Sequence, residues 1–342
     1  MNKIYLGLIG AGRIGQLHAE NIVRHLREAE LLMVADIKME KAQKLANSLG
    51  IPGITRDYQE LLMDQRIQAV IVCSSTDTHA EIIKASAEAR KHVFCEKPLA
   101  LDLIEINEIL KEVAARGVKL QVGFNRRFDP SFRQIRYLSS QGAIGKPHLL
   151  KITSRDPAPP PLEYLSRSGG LFLDMTIHDF DMARFLINDE VEEVFAVGEV
   201  LIEPQIGTVG DVDTAVVILR FRNKAMAIID NSRQAVYGYD QRIELFGERG
   251  MIWAGNPKPH LTILTDSQGD HAPPLLPFFV ERYRDSYLEE LKQFIDCLQE
   301  NKEPPVTGYD GKMAVLIGYA AKKSFLDRRP VRLAEIDSEF GP

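Results

Sequence analysis

Two short stretches carry side chains able to move a proton and to stabilise charge. In Gly169-Gly170-Leu171-Phe172-Leu173-Asp174-Met175-Thr176-Ile177-His178 a carboxylate precedes an imidazole by four positions, the spacing that sets two side chains on one helix face. Imidazole is the side chain best suited to take a proton near neutral pH. A carboxylate beside it orients the ring or stabilises its charged form. In Glu96-Lys97-Pro98 an ammonium follows an apolar run that ends at Cys95, and a fixed positive charge steadies an oxyanion as its proton leaves. Each stretch also has a structural reading: Asp174 as a helix cap with His178 a core histidine, and Glu96 with Lys97 as a surface ion pair. Asp174 and His178 would also suit zinc, but no Cys/His cluster supplies a third ligand at a recognisable spacing, so no metal is expected.

These groups need a partner that accepts electrons, and the N-terminus offers one. Gly10-Ala11-Gly12-Arg13-Ile14-Gly15 follows a predicted strand and opens a predicted helix, the context in which such a pattern cradles a dinucleotide. Gly10 permits the tight turn, Gly12 lets backbone approach a pyrophosphate, and Gly15 lets helix pack on strand. Asp36 ends the second strand, 21 positions after Gly15, where an acid accepts from both ribose hydroxyls. That carboxylate repels a 2′-phosphate, which Lys38 only partly offsets, so NAD is expected over NADP. Ser74, Ser75, Thr76 and His79 follow a later strand at the same sheet edge and border the cofactor in this reading; hydroxyl-rich turns are equally common as helix caps. With a nicotinamide in place, His178 becomes the general base for an alcohol, Lys97 the alkoxide stabiliser and Asp174 the group that tunes the imidazole.

The first 120 or so residues, which carry these motifs, alternate apolar strands (Lys3 to Ile9, Leu31 to Ala35, Ala69 to Cys73, His92 to Cys95, Lys119 to Phe124) with amphipathic helices. That pattern predicts a doubly wound parallel sheet. Beyond Pro147, strands at Val191 to Ile202, Val212 to Arg222, Ala225 to Arg233, Arg242 to Phe246 and Leu261 to Leu264 are joined by short turns, which predicts a mostly antiparallel sheet. The expectation is an α/β chain with an NAD-binding domain over 1–124 and a substrate-binding and association domain over 125–342. A helix over 310–326 would pack back between them. Pro157 to Pro161 and Pro273 to Pro277 read as loops.

The 342 residues are 45% hydrophobic and 26% charged with a formal net charge of -6, ordinary globular composition. Without a basic cluster, nucleic acid and anionic membranes are poor partners. No leader or membrane span is legible, and Cys73, Cys95 and Cys297 form no CxxC pair, so a cytoplasmic protein with reduced thiols is expected.

With these motifs and Val122-Gly-Phe-Asn125-Arg126-Arg127-Phe128 between them, the chain resembles the Gfo/Idh/MocA oxidoreductases over essentially its whole length, and within them the inositol 2-dehydrogenases. The resemblance implies Lys97, Asp174 and His178 as catalytic triad, and Ala11, Arg13, Ile14, Glu96 and Lys97 among the cofactor contacts. It also implies a cyclic polyol substrate met by Lys97, Arg127, Asp156, Asp174, His178, Tyr237 and Tyr283, a role in inositol catabolism, and a homodimer or homotetramer. Arg155-Asp156 followed by Pro157-Ala-Pro-Pro-Pro161 departs from some relatives where substrates are discriminated, leaving open the inositol isomer or a pyranose. Other readings of the same fold are a pyranose dehydrogenase and a non-catalytic sensor of NAD and sugar.

Overall fold

The computed structural model describes residues 3–340. Its chain divides into two compact units, one of residues up to Phe128 with Asp285–Val315, the other of Asp129–Arg284 with Leu316–Glu339.

In the first unit, strands β1 (Ile4–Ile9), β2 (Ala29–Ala35), β3 (Gly53–Thr55), β4 (Ala69–Val72), β5 (His92–Glu96) and β6 (Leu120–Gly123) alternate with helices α1 (Arg13–His25), α2 (Met39–Leu49), α3 (Tyr58–Met63), α4 (Thr76–Glu88) and α5 (Leu103–Arg116). All pairings are parallel, in the order β3-β2-β1-β4-β5-β6. This is the doubly wound dinucleotide-binding order, whose ligands lie at the carboxyl ends of the strands where the order reverses. β1 and β4 are nearly continuous apolar runs, as strands covered on both faces must be, and Leu6, Leu8, Ala69 and Ile71 are fully buried.

The second unit is built around a seven-stranded sheet of β7 (Pro147–Arg155), β8 (Val191–Glu199), β9 (Thr214–Phe221), β10 (Met226–Ser232), β11 (Asp240–Gly247), β12 (Gly250–Ala254) and the short β15 (Val331–Arg332). The order is β12-β11-β7-β10-β9-β8-β15, antiparallel except between β7 and β10. One face buries Leu150, Ile152, Val217, Leu219, Ala227, Ile229 and Leu245. The same unit holds α6 (Pro130–Ser140), the short α7 (Leu162–Leu165) and α8 (Leu171–Asp174), then α9 (Ile177–Ile187) and α10 (Pro204–Thr208); of these α9 packs on β7, and α6 on β12 and α9. The other face exposes Val197, Val216, Ile218, Met226, Phe246 and Trp253.

A hairpin of β13 (Leu264–Asp266) and β14 (Gly269–His271) precedes α11 (Phe279–Arg282), α12 (Arg284–Glu300), α13 (Gly308–Asp327) and α14 (Leu333–Phe340). The expected grouping of 125–342 differs from the structure here, because Asp285–Val315 belongs to the first unit. Leu291, Phe294 and Ile295 of α12 join the core formed by α1 and the parallel sheet. The division into units falls inside α13, the helix expected over 310–326. Three strands of the second sheet, β7, β12 and the two-residue β15, had no counterpart among the sequence expectations. β7 pairs with β10 and β11, yet its Lys151 and Thr153 interrupt the apolar run.

Candidate active site

β1 delivers the chain into the glycine loop. Gly10 has φ +98°, and a Cβ there would stand 2.6 Å from the Cys73 carbonyl carbon, so only glycine suits the turn. A Cβ on Gly15 would lie 1.9 Å from the Gly10 carbonyl oxygen. Gly12, by contrast, faces open space, with nothing within 4 Å of its would-be Cβ. It caps α1 without a side-chain partner, leaving first-turn N–H groups beside Arg13 and Ile14 for an anion. Ala11 is buried and donates its N–H to the Asp36 carboxylate at 2.7 Å, while the other Asp36 oxygen accepts from Lys38 N–H at 2.8 Å. The acid that sequence assigned to ribose braces the glycine loop.

At the end of β4, Ser75 caps α4 and the Thr78 hydroxyl lies 2.7 Å from Ser74 Oγ and 2.8 Å from the Ser75 carbonyl. Thr76 begins α4. His79 is buried, with Nδ1 2.8 Å from the Pro98 carbonyl and Nε2 3.1 Å from that of Ser74. Burial pushes its pKa down, and a neutral ring has one N–H to give. His79 thus ties the start of α4 to the turn after Lys97. Glu96 ends β5 and turns inward, 2.7 Å from His18 Nε2, and half-buried Lys97 follows it into a cis bond with Pro98. Arg127, beyond β6, pairs with Asp310 at 2.9 Å.

In the second unit Gly169 and Gly170, at φ +86° and +84°, turn the chain into α8. A Cβ on Gly170 would meet Asp211 Oδ1 at 2.8 Å, and that oxygen instead accepts from Leu171 N–H. The expected single helix is two: Asp174 closes α8 and His178 lies in the first turn of α9. Met175 and Thr176, between the two helices, remain right-handed helical, so the chain is helical in character from Asp174 to His178.

Asp174 is held from two sides. The Tyr164 hydroxyl donates to Oδ1 at 2.7 Å, and Arg233 reaches Oδ2 at 3.4 Å while lying 3.6 Å from Asp211. Burial, with the charges of Asp174 and Asp156, drives the Tyr164 pKa far up, so the phenol stays a donor and Asp156 belongs to the same neighbourhood. The start of α9 is pinned to the sheet, for Thr176 donates to Asn231 at 2.5 Å and Asn231 donates to Asp179 at 2.9 Å. Tyr237 is half exposed, donating to Asp240 at 2.7 Å and accepting from Arg155 at 3.0 Å. Tyr283 is buried among Phe132, Tyr239 and Arg282. Sequence reasoning missed Tyr164, Arg233 and Asp211, whose association with Asp174 leaves no trace in local spacing. It also missed His18 and Glu290, which lie beside Glu96.

A parallel sheet in this order, a glycine loop braced by Asp36 and an open Gly12 define a dinucleotide-binding domain. Residues 4–124 match the family model described as an oxidoreductase family with NAD-binding Rossmann fold, and residues 132–253 match the Gfo/Idh/MocA C-terminal domain. The chain belongs to the Gfo/Idh/MocA oxidoreductase family. It is 54% identical over 331 residues, 97% of this chain and 99% of the relative, to myo-inositol 2-dehydrogenase of Thermotoga maritima. Identity to inositol 2-dehydrogenase of Rhizobium meliloti is 44%, over the same shares. The crystal structure of scyllo-inositol dehydrogenase from Lactobacillus casei, with bound NAD(H) and scyllo-inositol, superposes with a TM-score of 0.91 at 30% identity, covering 97% of this chain and 100% of that one. Among the described residues no helix is long and apolar enough to cross a membrane.

Proposed function

We propose that the protein is an inositol 2-dehydrogenase that oxidises the secondary hydroxyl of myo- or scyllo-inositol to the ketone. The observation that carries the reading is the likeness to enzymes of that name over almost the whole of both chains. Bound NAD supplies the hydride acceptor. His178 takes the hydroxyl proton as the carbon gives up its hydride, and the Lys97 ammonium stabilises the developing alkoxide. Asp174 orients and charge-balances His178. Its own position follows from Tyr164 and Arg233, which supports a positioning role. Arg127, Asp156, Tyr237 and Tyr283 complete the proposed substrate set, the first and last acting through the packing of the site given their partners. Ser74, Ser75, Thr76, His79 and Glu96 line or support the nicotinamide half of the cofactor site.

The reading extends to a homodimer or homotetramer formed through the apolar exposed face of the second sheet, since an open face of this kind marks association. It also extends to a cytoplasmic setting, which three free thiols suit. The test is steady-state NAD reduction with wild type, His178→Ala and Lys97→Ala. Turnover in each variant should fall by about 10²- to 10⁴-fold with NAD affinity nearly unchanged; wild-type turnover in either would remove that residue from the mechanism.

A further inference from the structure

The first unit buries three titratable groups that the reaction does not use directly. His18 of α1, Glu96 of β5 and Glu290 of α12 each present a ligand atom within 4.8 Å of the other two. His18 and Glu290 are fully buried, and the Glu96 side chain is 13% exposed. His18 Nε2 sits 2.7 Å from Glu96 Oε1, and its ring is walled by Phe94 and Tyr287 edge to face. The Glu96 carboxylate lies directly over Gly123 of β6, where a Cβ would be 3.1 Å from its Oε2. Neither oxygen of Glu290 has a hydrogen-bond donor.

An ionised carboxylate with no donor, in a closed space beside another carboxylate, is among the costliest arrangements a core can hold. A proton removes that cost. The groups that face Glu290 are His18 from α1, Glu96 from β5 and the Cys73 thiol after β4, whose pKa burial and then the Glu96 charge push up. Neutral Gln121 of β6 donates its amide to the Glu290 carbonyl. Among the described residues no Lys or Arg side chain contributes to this cluster. Burial, then the Glu96 charge, raises the Glu290 pKa well above its ordinary value.

We propose that His18 and Glu290 are positioning residues for Lys97, acting through Glu96: Glu290 stands as a neutral acid facing the Glu96 carboxylate, and together with His18 it fixes that carboxylate at the end of β5, one residue before Lys97. The proposal rests on the role given to Lys97 above. It explains why residue 123 is glycine and why a helix from late in the chain returns to the parallel sheet with a carboxyl group at its core.

The test uses the full chain with NAD. Infrared difference spectra, wild type minus Glu290→Gln near neutral pH, should contain the carbonyl stretch of a protonated carboxylic acid. Absence of the band overturns the neutral acid. In parallel, His18→Phe, which cannot donate to Glu96, should lower kcat by about tenfold or more with KM for NAD changed less than about threefold, and His18→Gln should recover most of the loss. A folded His18→Phe enzyme with wild-type kcat overturns the positioning role. If Lys97→Ala keeps its turnover while the acid band is present, the fault lies with the role of Lys97 and not with the state of Glu290.

Discussion

Replacing Asp36 with asparagine separates charge from shape at the point where cofactor choice is made. The carboxylate accepts from Ala11 N–H at 2.7 Å and from Lys38 N–H at 2.8 Å. Asparagine keeps one oxygen for the phosphate loop and loses the second acceptor, a change worth about 1 kcal/mol. The larger effect is electrostatic. A 2′-phosphate seated against Asp36 meets a unit negative charge at about 4 Å, which costs about 4 kcal/mol at an effective dielectric of about 20. That is close to a thousandfold in discrimination against NADP. Exposed Lys38, two residues on, screens part of it. Asp36→Asn should therefore raise the ratio of kcat/KM for NADP over NAD by about a hundredfold to a thousandfold, most of it through improved use of NADP. The assay is initial-rate reduction of each cofactor at saturating polyol. A folded variant whose ratio moves by less than about threefold would refute the electrostatic account of the preference.

Gly12→Ala should leave Tm within about 1 °C, since nothing lies within 4 Å of the new Cβ, yet weaken NAD binding by about tenfold or more because the methyl stands where the pyrophosphate approaches. Gly15→Ala, with its Cβ 1.9 Å from a backbone oxygen, should lose stability first; thermal melts and NAD titration tell the two apart. Arg233→Met leaves Asp174 and Asp211 without their shared cation and should cost about 3–5 kcal/mol by denaturant unfolding, so an unchanged midpoint would mean that the two acids do not depend on Arg233. Glu290 holds its proton more tightly folded than unfolded, so the folded state binds more protons and stability declines as pH rises above about 4.5, its ordinary value. Glu290→Gln removes this dependence, and its stability advantage over wild type should grow by about 1.4 kcal/mol per pH unit until the folded pKa is reached; an advantage that does not change with pH would show that Glu290 is ionised throughout.

The parallel unit was legible because its signals are local. Apolar runs mark β1 and β4, Gly10 is required by a positive φ and Gly15 by a near-contact with Gly10 itself, and Asp36 sits where the second strand ends. The glycine pair before α8 was visible for the same reason, though its partner Asp211 was not. What escaped depends on residues far apart in sequence. β7 is half polar and is defined by its pairing with β10 and β11. The return of Asp285–Val315 to the first unit follows from Leu291 and Phe294 joining a core that α1 began. The support of Asp174 comes from Tyr164 and Arg233, ten residues before it and fifty-nine after. No periodicity records such meetings. Local spacing did place Asp174 and His178 in one helical stretch, but not the break at Met175 and Thr176 that ends one helix and starts the next.

The central claim is tested most directly by reduced-nicotinamide absorbance with the purified protein, NAD, and myo-inositol, scyllo-inositol, D-chiro-inositol, glucose and xylose in turn. The account predicts NADH formation with myo- or scyllo-inositol that His178→Ala abolishes. Silence on every inositol with turnover of a pyranose would contradict it.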